Sequence, residues 1–218
     1  MLMVKIVSFD LEGTLVDMTF SDKVWNEGIP ALYAQKTGLK FEEAKRIVLN
    51  EYMKVGEERI EWYDIRYWFN KFGLSDIEGL FNRYKDKVYI YPEVKNVLDF
   101  LSRKFTLILT SNSAKEFIEF LTKEIREYFK HIFSATSDFK ITKKKPEFYK
   151  KICEILNVKP WEIAHIGDRW IDDFEVPRKI GIKAYFLDRF GKTSSLNKFF
   201  IVKDLSEFVS KILKGEYE

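Results

Sequence analysis

Two acidic residues with short spacing follow the first apolar run of the chain, in the segment FDLEGTL (residues 9–15). The run before it, VKIVSF, is rich in β-branched residues and predicts a buried strand. The turn places Asp10 at the carboxyl end of this strand, where open α/β sheets bind their ligands. Gly13 allows a sharp turn and a close approach to a ligand, and Thr14 adds a hydroxyl group. The alternative interpretation is an acidic turn after an edge strand.

Two further apolar runs also end in polar residues. The run FTLILTS ends in Ser111 and is followed by Asn112, and the run IAHI continues into GDRWIDD, which contains Asp168 and Asp173. Both runs have the length and composition of buried strands. For each, an ordinary strand-to-helix turn with a capping residue is the structural alternative.

A run of three lysines, residues 143–145, precedes the helical pattern PEFYKKICEIL, in which Pro146 has the favoured first helical position. The chain thus contains, in order, an Asp after a strand, a hydroxyl with Asn, a Lys and Gly-Asp-x4-Asp. This ordered set resembles the haloacid dehalogenase (HAD) superfamily, with all four motifs matched across essentially the whole chain.

The resemblance implies roles for residues of the first three motifs. Asp10 matches the nucleophile, which forms an aspartyl-phosphate and so divides one difficult step into two. Glu12 matches the acid that protonates the leaving group and then activates water, although the usual residue there is Asp. Lys145, which directly precedes proline as the family lysine usually does, is expected to neutralise the nucleophile and the phosphate. Ser111 and Asn112 are expected to hold a phosphoryl oxygen.

The resemblance also implies a Mg²⁺ site, for which Asp10, Glu12 through its main-chain carbonyl, and Asp168 are the expected ligands. Asp173 is expected to be an outer ligand or to orient Asp168, and the family spacing favours it over the adjacent Asp172. Thr14 is a further candidate for substrate contact.

The order of predicted elements indicates an α/β fold with a Rossmann-like, mainly parallel sheet and helices on both faces. Residues 17–88 contain only helical patterns and match the position of the family's small, all-helical cap. Residues 1–16 and 89–218 are predicted to form the discontinuous α/β core. The helices of the cap are expected at about residues 22–37, 41–55, 62–71 and 75–88.

Composition limits the possible partners and location. The 218 residues carry a net charge of +3, and no basic block is longer than residues 143–145, so no nucleic-acid partner is predicted. The N-terminus is too short and too soon charged for a signal peptide or membrane span, so we expect a cytoplasmic protein without a membrane partner. Cys153 is expected to be a buried thiol, and His131 and His165 are expected to be structural. Monomer and homodimer both remain open.

These observations favour a Mg²⁺-dependent phosphomonoester hydrolase that acts on a small phosphorylated molecule. A phosphomutase would use the same core residues. A 2-haloacid dehalogenase of the same superfamily needs neither metal nor an acid at position 12, and extra carboxylates beside Asp10 would repel its carboxylate substrate. A catalytically silent binding protein of this fold is the non-enzymatic alternative.

Overall fold

The computed structural model describes residues 4–191, 193 and 198–215, and its centre is one parallel sheet of six strands. The spatial order of the strands is β3-β2-β1-β4-β5-β6. The direction of this order reverses between β1 and β4, and this is the position at which doubly wound sheets form a binding crevice. The strands are β1 (Ile6–Phe9), β2 (Thr106–Ser111), β3 (His131–Ser134), β4 (Ile163–Gly167), β5 (Lys183–Leu187) and β6 (Ile201–Val202).

The central strands are buried on both faces, which explains why they read as continuous apolar runs. Phe9 of β1 lies opposite Leu109 of β2 and Ile166 of β4. Val7 and Phe9 belong to the large core cluster, whereas Ile6 belongs to a second cluster. Alternate residues of β1 therefore pack into separate apolar layers, one on each side of the sheet.

Helices connect and follow the strands. In chain order they are α1 (Thr19–Lys23), α2 (Ile29–Thr37), α3 (Phe41–Val55), α4 (Ile65–Phe72), α5 (Ile77–Arg83), α6 (Val94–Ser102), α7 (Lys115–Leu121), α8 (Ala135–Phe139), α9 (Pro146–Leu156), α10 (Val176–Lys179) and α11 (Leu205–Lys214). Two π-helical turns, Val24–Gly28 and Trp170–Glu175, lead into α2 and α10. In the described part of the chain, no helix is long and apolar enough to cross a membrane.

Residues 19–87, called the helical insert below, contain no strand in the structure and pack directly against the sheet domain. The Phe20 ring stacks on Phe120, with centroids 5.0 Å apart, and the Trp25 ring stacks on Phe117, at 5.3 Å. The hydrophobic core thus continues from the sheet domain into the helical insert. This packing places aromatic side chains of the insert near the carboxyl edge of the sheet.

The predicted α/β class and parallel sheet with surrounding helices are confirmed. The division into a core of residues 1–16 and 89–218 and a cap of residues 17–88 stays a prediction, and its residues 1–3, 192, 194–197 and 216–218 lie outside the described residues. The segment that follows Asp168 forms a π-helical turn and then the short helix α10. Within this turn Asp172 and Asp173 are both buried.

Candidate active site

Asp10 lies at the carboxyl end of β1, in the crevice between β1 and β4. Its backbone N–H donates to the carbonyl of Ile166 at 2.9 Å, which joins the turn to the end of β4. Its Oδ1 accepts from Lys144 Nζ at 2.6 Å, and its Oδ2 accepts from Thr14 Oγ1 at 3.1 Å. Asp10 is therefore a buried carboxylate held in one orientation by two donors.

Asp168 and Asp173 lie beside Asp10, with ligand atoms of all three side chains within 4.8 Å of one another. Asp173 also contacts Lys144, and its Oδ2 accepts from the backbone N–H of Arg169 at 3.1 Å. Asp168 Oδ1 is buried and has no hydrogen-bond partner among the described residues. Three carboxylates thus lie together, one lysine pairs with two of them, and one buried oxygen of the third remains available to a cation.

Two glycines allow the carboxylates to come so close. Gly13 has φ +81°, and a Cβ there would lie 2.2 Å from Asp168 Oδ2. A Cβ at Gly167 would lie 2.3 Å from Asp173 Cγ. Because real Cβ atoms do not approach so closely, any other residue at either position would displace a carboxylate of the site.

The pKa values follow from burial and from the excess of negative charge. Burial raises the pKa of Asp10; Lys144 opposes the rise, and Asp173 and Asp168 add to it. Burial also raises the pKa of Asp168, with a further contribution from Asp173. Burial acts against the charged form of Asp173 as well, but Lys144 and His165 outweigh it and lower the Asp173 pKa. When all three carboxyl groups are ionised, their negative charge therefore exceeds the positive charge of Lys144.

The contact with Asp10 that was predicted for Lys145 is made by Lys144 instead. Thr142 and Lys144 are buried, whereas Lys145 is exposed and Lys143 pairs with Glu58 at 2.8 Å. Burial differs from one residue to the next along residues 142–145, so Lys144 is buried while the lysines on either side of it are not. Lys145 is the N-cap residue of α9.

Glu12 lies on the other side of the turn after β1, on the wall of a cavity of about 270 Å³ between the helical insert and α7. Ser113 Oγ donates to Glu12 Oε2, and Glu12 Oε1 is buried with no hydrogen-bond partner in the described part of the chain. Burial raises the pKa of Glu12, and the hydrogen bond from Ser113 opposes this rise only in part. Glu12 is therefore suited to carry a proton.

The three residues predicted to contact the substrate have different surroundings. Ser111 is buried at the end of β2, and its Oγ accepts from the backbone N–H of Ser113 at 3.1 Å. The Asn112 side chain donates to Asp172 Oδ2 at 3.1 Å, so it positions Asp172 here. Thr14 is fully buried against Asp10. Thr14 thus holds the carboxylate in place.

Two backbone amides at the start of α7 already donate to side chains of the protein. The first helical amide, that of Lys115, donates to Ser137 Oγ at 3.0 Å. Together with the amide of Ser113, two of the amides at this turn already have protein acceptors. Any oxyanion bound there must use the remaining donors.

His165 belongs to the site's support, which the sequence analysis did not anticipate. Its Nε2 lies 3.2 Å from both Asp173 Oδ1 and the Tyr149 hydroxyl, and its Nδ1 lies 2.9 Å from Ser8 Oγ. Because the Tyr149 hydroxyl donates to the carbonyl of Asp172 at 2.9 Å, we assign the imidazole proton to Nε2. Burial lowers the pKa of His165, which favours this neutral form. The available signal was a polar residue in an apolar strand, in register with Ser8.

Comparisons with known proteins agree with this arrangement. A family model described as haloacid dehalogenase-like hydrolase matches residues 4–181. A glyceraldehyde 3-phosphate phosphatase of Pyrococcus abyssi (strain GE5 / Orsay) is 25% identical over 203 residues, which cover 87% of this chain and 83% of that protein. The GMP/IMP nucleotidase YrfG of Escherichia coli (strain K12) is 31% identical over 72 residues, 33% of this chain and 32% of that protein.

Solved structures show the same fold. A HAD phosphatase from Thermococcus onnurineus has a TM-score of 0.82 at 24% identity and covers 99% of this chain and 100% of its own. A 2-haloacid dehalogenase from Pseudomonas syringae pv. Tomato DC3000 has a TM-score of 0.71 at 23% identity, with coverage of 98% and 99%. These likenesses concern the fold, whereas the family model concerns most of the sequence. This chain belongs to the haloacid dehalogenase-like hydrolases.

Proposed function

We propose that this hydrolase is a Mg²⁺-dependent phosphatase that cleaves a small phosphomonoester through an aspartyl-phosphate at Asp10. The observation that carries the proposal is the cluster of Asp10, Asp168 and Asp173, whose ligand atoms lie within 4.8 Å of one another around a single lysine. Such a cluster matches a divalent cation and a phosphate better than it matches an anionic substrate alone.

The residues present fit a Mg²⁺ ion. Hard carboxylate and carbonyl oxygens are the ligands that this ion prefers, and Asp168 Oδ1 is buried without a partner among the described residues. Asp10, Asp168 and the main-chain carbonyl of Glu12 would hold the ion, with Asp173 orienting its neighbours. When bound, the ion would offset the charge of the carboxylates and of the phosphate, and would thereby favour the ionised form of Asp10.

In the first step, an Asp10 carboxylate oxygen attacks phosphorus and forms an O–P bond while the bond from phosphorus to the ester oxygen breaks. Lys144 and Thr14 hold Asp10 in position for this attack. Glu12, whose pKa is raised by burial, gives its proton to the departing alcohol oxygen. The products of this step are a neutral alcohol and the aspartyl-phosphate.

In the second step, Glu12 takes a proton from a water molecule, and the water oxygen attacks phosphorus. The bond between phosphorus and Asp10 breaks, so that inorganic phosphate leaves and both carboxyl groups return to their starting states. Ser111 is the candidate contact for a phosphoryl oxygen, because its hydroxyl lies at the end of β2 beside the turn that carries Glu12's partner Ser113.

Two further observations support the proposal. The glyceraldehyde 3-phosphate phosphatase and the GMP/IMP nucleotidase to which the chain is similar are both named for small phosphate esters. The cavity beside Glu12 is lined by the helical insert on one side and the start of α7 on the other. This placement supports an interpretation of residues 17–88 as a cap that covers the leaving group.

The test is phosphate release from an aryl phosphate with Mg²⁺ and with a chelator. We expect turnover only with the metal, its loss in Asp10→Asn, and its retention in the control Asp86→Asn, which changes an exposed residue paired with Lys87. No halide should appear from 2-chloropropionate. Metal-independent phosphate release would contradict the proposed site, and steady halide release would establish the dehalogenase alternative.

A further inference from the structure

The cavity beside Glu12 has aromatic side chains on two sides. Trp25, Tyr52, Trp62 and Tyr63 of the helical insert form one side, and Phe117 of α7 forms the other. The rings support one another: Trp25 stacks on Phe117, and Tyr52 packs edge-on against Trp62 with centroids 6.3 Å apart. Such walls favour an apolar or aromatic body over an extended polar chain. The volume of about 270 Å³ admits only a small group.

The charge of the cavity has one sign. Glu12 and Asp22 line it, and none of the described lining residues is a lysine, arginine or histidine. Asp22 has no hydrogen-bond or ion-pair partner for its carboxylate among the described residues. Lys143 and Arg169 both lie near Tyr63 but outside the cavity wall; Lys143 is paired with Glu57 and Glu58, and Arg169 lies 3.8 Å from Asp172. An anionic group placed here would meet carboxylates on the cavity wall and no cationic side chain among the described lining residues.

We propose that the alcohol part of the substrate is a small apolar or aromatic group without negative charge, and that an amine on it binds between Asp22 and the aromatic walls. An ammonium group gains from a carboxylate and from the face of an indole or phenol ring at the same time. Carboxylate-bearing phosphate esters and bisphosphates are then poor substrates. This inference rests on the proposed function, because it describes the leaving-group side of the same site.

The position of Glu12 connects the cavity with the reaction. Glu12 is the residue proposed to protonate the ester oxygen, and it forms part of the cavity wall. The group attached to that oxygen must therefore extend into the space between Glu12 and the aromatic rings. A charge on this group interacts electrostatically with Asp22, while the contacts that hold the phosphate stay the same.

The experiment compares three benzyl phosphates that carry an aminomethyl, a hydroxymethyl or a carboxymethyl group at the para position. Their leaving alcohols have nearly the same acidity, so differences in kcat/KM report binding of the substituent. We expect the order aminomethyl, hydroxymethyl, carboxymethyl, with about a tenfold or larger difference between the first and the last at low salt. An equal or reversed order would overturn the inference.

Two variants identify the residues responsible. Asp22→Asn should reduce the ratio between the aminomethyl and carboxymethyl esters, while the control Asp86→Asn should leave the ratio unchanged. Trp62→Ala should lower kcat/KM for the benzyl esters but not for ethyl phosphate. Trp161, exposed in the turn before β4 and outside the cavity, provides the control Trp161→Ala. If Asp22→Asn leaves the ratio of kcat/KM between the aminomethyl and carboxymethyl esters unchanged, Asp22 does not bind the amine and this part of the proposal is wrong.

The outcomes separate this inference from the proposed function. Phosphate release from all three esters with the carboxymethyl ester best would refute the substrate class and leave the phosphatase intact. Absence of phosphate release from every ester in the presence of Mg²⁺, ethyl phosphate included, would refute both.

Discussion

Replacing Lys144 by methionine removes the positive charge that pairs with both Asp10 and Asp173. The Lys144 side chain is fully buried, with Nζ 2.6 Å from Asp10 Oδ1 and in contact with Asp173. Removing one partner from a buried ion pair costs about 3–5 kcal/mol, because the remaining charge is left unpaired. For a chain of this size, that corresponds to a melting temperature lower by about 6–20 °C.

The assay is unfolding by denaturant and by heat in metal-free buffer, with Lys145→Met as the matched control. Lys145 is exposed, so its replacement should change the free energy of unfolding by less than about 0.5 kcal/mol. The two variants should also differ in activity: Lys144→Met should be inactive, and Lys145→Met should have nearly the activity of the unmodified protein. Equal stability and activity of the two variants would refute the reasoning.

The loss of folding stability caused by Lys144→Met should depend on pH. Lys144 is the strongest influence that lowers the pKa of Asp173, so without it burial should raise this pKa above its unfolded value, and the folded variant then binds a proton at Asp173 that the unmodified protein does not. The pKa of Asp10 is raised even with Lys144 present and therefore does not distinguish the two proteins in this way. The stability of the variant therefore falls as pH rises above the unfolded pKa of Asp173, and the difference from the unmodified protein should be smaller at pH 5 than at pH 8. Adding Asp173→Asn should recover part of the loss, because one unpaired charge is removed.

Three further predictions concern other residues of the site. Glu12→Gln should reduce turnover by about 10²–10⁴-fold, with a smaller loss for esters with good leaving groups, and kcat/KM of the unmodified enzyme should fall as pH rises through the raised pKa of Glu12. Gly13→Ala should weaken Mg²⁺ binding, measured calorimetrically, because its Cβ would overlap Asp168; Gly38→Ala, at φ +74° with open space around it, controls for backbone strain. His165→Phe should lower the free energy of unfolding by about 1–3 kcal/mol at pH 8. It should also remove the loss of stability that the lowered pKa of His165 causes as pH falls below about 6.5, where only the unfolded state readily binds that proton.

The acidic part of the site could be predicted because parallel strands end at one edge of a sheet. Asp10 follows β1 and Asp168 follows β4, and these strands are neighbours once the strand order is known. The choice between Asp172 and Asp173 rested on family spacing, and the structure places Asp173 in the carboxylate cluster while Asp172 accepts from Asn112.

The lysine and the histidine could not be predicted in the same way. Only one of the three consecutive lysines is buried, and long-range packing determines which one. Here Lys143 pairs with Glu58 of the helical insert, and Lys144 points into the sheet domain. The partners of His165 come from three separate elements, so a single histidine in an apolar strand does not reveal them.

The π-helical turns also escaped prediction. Residues 170–175 fit a helical pattern, but the wider π turn differs from an α-helix by one hydrogen-bond step, which the periodicity of a short segment does not resolve. This difference affects the site, because the turn carries the buried residues Asp172 and Asp173.

Chemical trapping of the phosphorylated enzyme tests the central claim most directly. Borohydride reduces an aspartyl-phosphate to homoserine, which peptide mass spectrometry locates in the sequence. We predict homoserine at position 10 only when both Mg²⁺ and a phosphate ester are present, and none in Asp10→Asn. Phosphate release without modification of Asp10, or with homoserine at another aspartate, would contradict the account.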